Sequence, residues 1–346
     1  MSKQTKAFIA ILTCIAAVLG IGGYIVYKSG FTISEPVSLY IDKDDNIDSV
    51  RHKIETLGKP RNMAVFDLFA KLLSFDEKIR TGKYEISPDE SMLQMIRHIR
   101  NHNEQPIKLV VPSVRTMEDM AGRLAHQLMI DSTEIAERLN DEGQIARLGY
   151  TKETVHALFI PNTYEVYWDM SADDLMKRME KENKAFWNDV RVAKLDEVSK
   201  YAGRKMSKID VATMASIVDS ETANNGEKPT IAALYMNRLR IDMPLQSDPT
   251  VKYALQDFGL RRILNEHLTV DSPYNTYKNT GLPPGPICVP SIAGLDAVLN
   301  HASNDYIYMC AKEDFSGTHN FAVSYSEHLQ NAKRYTQALN QRKIFK

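Results

Sequence analysis

Cysteine is scarce in this chain: Cys14, Cys288 and Cys310 are the only three. Cys14 lies in a long apolar run, which leaves two for the rest of the chain and excludes a disulfide framework. Those two could form one bridge in an oxidising compartment, but they read as small packing residues. The nine histidines show neither an HExxH pattern nor paired Cys/His spacing, so no metal centre is expected. No excess of either charge is present: 43 Lys and Arg face 44 Asp and Glu. That balance gives no reason to expect the basic surface of a nucleic-acid binder or the polybasic patch of a lipid binder. Low-complexity tracts are missing too, which argues against disorder away from the two ends.

Apolar residues are plentiful, at 43%. The longest run, Ala7 to Tyr27, carries no charge. As a helix it spans roughly 30 Å, the hydrocarbon thickness of a bilayer. Lys3 and Lys6 precede it, and acids (Asp42, Asp44, Asp45) soon follow. This bias favours an N-terminus in the cytoplasm. A cleaved signal peptide is the competing reading, but the region around Tyr27-Lys28-Ser29 lacks a small-x-small cleavage site. The expectation is an uncleaved single-pass membrane helix, with residues 1–6 cytoplasmic, 7–27 in the membrane and the rest outside. The remaining chain, roughly 320 residues, is enough for two or three domains.

Hydrophobic spacing divides that remainder. Ser38 to Ile41 reads as a strand, Asp48 to Leu57 and Met63 to Leu73 as helices, and Gly82 to Ile86 as a second strand ended by Pro88. This strand–helix–helix–strand order resembles LysM modules, small domains that bind N-acetylglucosamine-containing glycans; a generic α+β spacer fits equally well. A fainter second unit follows, with a β-branched run at Ile107 to Val111, a capping signal at Thr116 and apolar steps at Met120, Leu124 and Leu128. Phe159 to Tyr167 reads as extended and Asp174 to Trp187 as a surface helix. The expected organisation is a membrane-proximal module over 28–106, a second α+β segment with a connecting helix over 107–200, and a final α+β domain over 201–346.

Ser207 and Asp210 are placed to cap a helix that runs to Thr222. On it Val211, Met214, Ala215, Val218 and Thr222 form one apolar stripe. Glu221 projects at the edge of that stripe, while Asp219 projects about 200° round the helix from it. A carboxyl against apolar neighbours has a raised pKa, as a general acid requires. The competing reading has Glu221 ending the helix in an ion pair with Arg238. Downstream, Leu245 to Thr250, Tyr274 to Tyr277 and Gly281 to Pro286 are rich in amides, hydroxyls, aromatics and proline. Such residues suit a sugar-binding groove, and they suit tight turns equally.

Taken in order, the segments ASIVDSET, NRLRIDMPLQSDPTVKYAL, PYNTYKNTGLPPGPI, Thr318-His319-Asn320-Phe321 and His328 resemble the endolytic murein transglycosylase (YceG-like) family, as do Gly82 to Pro88 and Phe159 to Tyr167. The likeness runs over nearly the whole chain. The family's helix motif has two acids, and the second, catalytic one falls on Glu221. The first falls on Asp219, where the family usually has Glu. Asn162 stands where the family usually has Asp. The resemblance implies internal cleavage of peptidoglycan between N-acetylmuramic acid and N-acetylglucosamine, with the muramic 6-hydroxyl as nucleophile and a 1,6-anhydro end as product. It implies Glu221 as general acid and base, no metal or cofactor, and penicillin-binding synthases as partners. Gln246, Asp248, Asn275 and Tyr277 are the candidates for holding sugars. Two alternatives stand beside this: a non-catalytic peptidoglycan-binding scaffold for the synthases, and a hydrolytic muramidase using Asp248 as its second carboxylate.

Overall fold

The computed structural model describes residues 3–260 and 262–342; residues 1–2 of the expected cytoplasmic tail and the last four of the chain lie outside them. The protein mixes helices with short strands, and its chain divides into two compact units. The first comprises residues 1–109, 127–130 and 164–170; the second comprises 110–126, 131–163 and 171–346.

The chain starts with helix α1 (Lys3–Lys28). Within it Ala7–Tyr24, of mean hydropathy 2.2, is long and apolar enough to cross a membrane, and none of that window is buried by the protein. Strand β1 (Val37–Ile41), helices α2 (Ile47–Gly58) and α3 (Met63–Leu72) and strand β2 (Gly82–Ile86) follow in the order the sequence spacing predicts, and then helix α4 (Met92–Arg100), which that spacing did not indicate. β1 and β2 pair antiparallel, from Val37 opposite Ile86 to Ile41 opposite Gly82. Alternation places Leu39, Ile41, Tyr84 and Ile86 on the inner face. Phe31, Val50, Ile54, Phe66, Phe75 and Met95 complete that core. Full burial of side chains of this size stabilises by about 1.5–3 kcal/mol each. Asn46 starts α2 with a reciprocal capping box to Ser49.

Strand β3 (Ile107–Val111) and helices α5 (Met117–Ala125), α6 (Ser132–Asn140) and α7 (Glu142–Arg147) come next. Thr116 caps α5 as its sequence signal predicts, but the helix stops at Ala125, short of Leu128. Strand β4 (Asn162–Val166) precedes α8 (Ala172–Phe186) and α9 (Asp189–Ala202).

The second unit is built around helices α10 (Lys208–Glu221) and α11 (Lys228–Arg240). The predicted caps hold: Ser207 accepts from the Asp210 amide and Asp210 accepts from the Ser207 amide. The predicted one-sided stripe does not. Every residue from Val211 to Val218 is buried, so α10 is a central helix packed on all faces. Two features permit this. Ala212 and Ala215 are small, and the buried hydroxyls of Thr213 and Ser216 donate back to the carbonyls of Ile209 and Thr213. α11 is enclosed likewise from Ile231 to Leu239. Helix α12 (Asp248–Leu255), a long loop, helix α13 (Ile292–Leu299), the antiparallel pair β5 (Tyr308–Ala311) and β6 (His319–Ala322), and helix α14 (Tyr325–Gln341) finish the chain. Cys288 is buried and Cys310 half-buried, and both are free thiols.

Candidate active site

Glu221 is the last residue of α10, where the helix leaves its packed surroundings and part of the side chain becomes accessible. Two hydroxyls hold it. Tyr235, on α11, donates to Oε1 at 2.8 Å, and Ser247, at the start of α12, donates to the same oxygen at 2.5 Å. Oε2 receives no hydrogen bond among the described residues. Burial pushes the Glu221 carboxyl above its ordinary range, more strongly than the Ser247 and Tyr235 bonds pull it down. The Asp248 charge adds a smaller upward push, and His319 opposes it. The carboxyl is thus biased toward its neutral form, with one oxygen fixed and the other open.

Arg238 does not pair with Glu221. It is buried and donates to the carbonyls of Ile307 at 2.7 Å and Leu245 at 2.6 Å. Arg238 therefore shapes the chain that leads into Gln246 and Ser247. Two further residues hold the turn after Glu221. Glu227 accepts from the backbone amide of His319 at 2.7 Å and contacts His319 Nδ1 at 3.0 Å. Thr222 donates to Glu227 at 3.3 Å.

The polar loops flank this carboxyl. The Gln246 amide donates to the Thr276 carbonyl, and the Ser247 amide donates to Thr276 Oγ1, both at 3.0 Å. Gln246 is exposed in a left-handed conformation with φ of 49°. Asp248 is exposed, and Tyr277 donates its hydroxyl to Asp248 Oδ1 at 2.6 Å. Asn275 has a different place from the one its residue type implies. It is fully buried, and its amide nitrogen donates to the carbonyls of Leu268 and Val270, each at 2.9 Å. Its oxygen accepts from the Tyr277 amide at 3.0 Å. With those bonds made, Asn275 shapes the loop that presents Tyr277 and is closed to a ligand.

Asp219, two residues before Glu221, points elsewhere. Lys228 lies 2.7 Å from its Oδ1, and the Ser291 amide and hydroxyl donate to it at 2.6 and 2.9 Å. Asp219 thereby fixes the first turn of α13. A Cβ on Gly294 would lie 2.5 Å from this carboxylate, which accounts for glycine there. Asp219 and Ser220 also help line a cavity of about 720 Å³ together with Arg115, Arg123, Phe258 and Cys288.

Tyr235 and Ser247 are the residues that sequence reasoning passed over. Ser247 stands between two named candidates, Gln246 and Asp248, and that position was its one available signal. Tyr235 is indistinguishable from a core tyrosine until α11 is seen beside α10.

Comparison with known proteins places this arrangement. The YceG-like family model matches residues 39–334. The endolytic murein transglycosylase of Bacillus subtilis (strain 168) is 30% identical over 250 residues, covering 68% of this chain and 67% of that protein. The endolytic murein transglycosylase of Streptococcus pneumoniae (strain D39) is 23% identical over 89% of this chain, which spans 62% of that relative's length. A yceG-like protein from Listeria monocytogenes, solved at 2.6 Å, superposes with a TM-score of 0.52 at 30% identity, covering 86% of this chain and 99% of its own. With most of its length matched, this chain belongs to the YceG-like family.

Proposed function

We propose that this chain is a membrane-anchored endolytic peptidoglycan lytic transglycosylase with Glu221 as its general acid and base. The observation that carries the reading is the state of that carboxyl: Oε1 is fixed by Tyr235 and Ser247, Oε2 is open, and burial favours the protonated form. The names of the Bacillus and Streptococcus relatives support the same reaction.

In this mechanism Oε2 delivers its proton to the glycosidic oxygen between N-acetylmuramic acid and N-acetylglucosamine. The bond breaks through an oxocarbenium-like state, and the anionic carboxylate left behind stabilises it. The muramic 6-hydroxyl then attacks its own anomeric carbon and passes its proton to Glu221, leaving a 1,6-anhydro end. One carboxyl suffices because the nucleophile belongs to the substrate and is held at high effective concentration. Hydrolysis with inversion or retention needs a second carboxylate. Gln246, Asp248 and Tyr277 are placed to contact sugars, and Asn275 serves by holding the Tyr277 loop.

The same reading assigns α1 as a single-pass inner-membrane anchor with a cytoplasmic N-terminus. It keeps the LysM-like reading of 28–106, with a generic α+β spacer as its alternative, and penicillin-binding synthases as partners. The test is digestion of purified sacculi followed by mass analysis. Anhydro-ended fragments that disappear with Glu221→Gln support the proposal. Reducing ends point to a muramidase, and binding without cleavage to a scaffold.

A further inference from the structure

The first unit holds a second cluster of ionisable groups. His102 lies just beyond α4, Glu104 two residues further on, and Asp169 after β4. One ligand-type atom from each lies within 4.8 Å of the other two. His102 Nε2 is 3.3 Å from Glu104 Oε1 and 3.3 Å from Asp169 Oδ2. An ion bound tetrahedrally by nitrogen and oxygen at about 2.0–2.1 Å sets its ligand atoms about 3.3–3.4 Å apart. Two edges of such a tetrahedron are already formed.

The acids are not ordinary surface carboxylates. The Glu104 side chain is 5% exposed and that of Asp169 12%. Glu104 Oε2 is buried and has no hydrogen-bond partner among the described residues. Neither acid is paired with a lysine or arginine among the described residues, and His102 is the one basic group beside them. Two enclosed carboxyl groups beside a single imidazole are costly to hold away from water, and a bound cation offsets that cost. The surroundings accommodate the pair. Thr81 donates to Asp169 Oδ2 at 2.5 Å, the kind of support that orients a ligating carboxylate. Gly82 lets the strand pass, since a Cβ there would lie 2.6 Å from Glu104 Oε2. The His102 side chain is 47% exposed, so the cluster opens to solvent on one side, where a water can complete the coordination.

We propose that His102, Glu104 and Asp169 bind a divalent transition-metal ion of the zinc class, which joins the segment after α4 to the segment after β4. One imidazole with two carboxylates suits Zn²⁺ better than Mg²⁺ or Ca²⁺, which take six or more oxygen ligands. The ion staples the first unit, whereas the proposed chemistry belongs to Glu221 in the second.

The test uses the full chain in detergent, stripped with EDTA and titrated with Zn²⁺ by calorimetry, alongside thermal melting. The expected result is one bound equivalent, a raised melting temperature, and little competition from millimolar Mg²⁺ or Ca²⁺. His102→Asn and Glu104→Gln are expected to weaken Zn²⁺ binding by at least 10–100-fold, about the loss seen when only a supporting residue of a metal site is removed. His102 has a φ of 53°, which asparagine tolerates, so that variant keeps the fold even if Glu104→Gln does not; circular dichroism checks this. No bound Zn²⁺, equal binding by wild type and His102→Asn, or preference for Mg²⁺ or Ca²⁺ would each overturn the proposal.

Discussion

Glu221 draws its character from two neighbours, and each can be removed separately. Tyr235→Phe deletes a hydrogen bond that favours the carboxylate. The Glu221 pKa then rises further, and the alkaline limb of the pH–rate profile moves to higher pH. A hydrogen bond to a charged group contributes about 1.5–3 kcal/mol, so cleavage is expected to slow by about 10–100-fold where the carboxylate must form. Ser247→Ala is expected to act in the same direction. The raised pKa also predicts a stability effect of definite sign. Between the unfolded value near 4.5 and the folded value, the folded protein holds the extra proton, so stability falls as pH rises through that window. Glu221→Gln removes this penalty. It is expected to abolish cleavage yet to melt above wild type at pH 7–8, with the gap closing as pH falls toward 4.5. A variant that melts lower at every pH rules out a strained carboxyl. The sequence singled out Glu221 as the candidate, through the motif likeness and its place on the helix. Its partners were not, because contacts across 14 and 26 residues depend on how helices pack.

At the scale of the element, α10 ends in two acids with separate duties. Asp219 and Lys228 are both about nine-tenths buried, and removing one charge from such a pair typically costs about 3–5 kcal/mol. Asp219→Asn is therefore expected to lower stability by about that amount, read by denaturant melting. Gly294→Ala is expected to destabilise as well, since its methyl would meet the same carboxylate. The sequence showed the Ser207–Asp210 cap and the divergence of Asp219 from Glu221. It misled about the helix's surroundings, because short-range periodicity cannot distinguish an edge helix from one whose alanines and self-bonded hydroxyls allow burial on every side. α9 escaped notice for the opposite reason: only Val198 and Ala202 are buried along it, which is too few to set a period. The three proline-rich and amide-rich loops were recognisable as special, but only coordinates separate Asn275, which is sealed inside, from Gln246 and Asp248, which are exposed.

For the whole molecule, the apolar helix runs into the core of the first unit through a short junction. Ser29 and Phe31 are both buried, and Phe31 belongs to the core of that unit. A chain beginning at Ser29 is expected to fold without detergent and to retain cleavage of isolated sacculi. A chain beginning at Ile33 loses the Phe31 side chain and is expected to be less stable by about 3–5 kcal/mol. Melting temperatures of the two forms measure the difference. The run from β1 to β2 could be read from spacing, because it is local, whereas α4 was not. The His102–Glu104–Asp169 cluster could not, since 67 residues separate the histidine from Asp169 and no short motif spans them.

The double grip on Glu221 Oε1 has a consequence for stereochemistry. A carboxyl tethered on one side cannot swivel, so in the proposed reaction the hydrogen it gives away and the hydrogen it recovers cross the same point in space. In that reaction the departing and attacking sugar oxygens visit that point in turn, from one side of the ring, while a tyrosine and a serine hold the carboxyl to it.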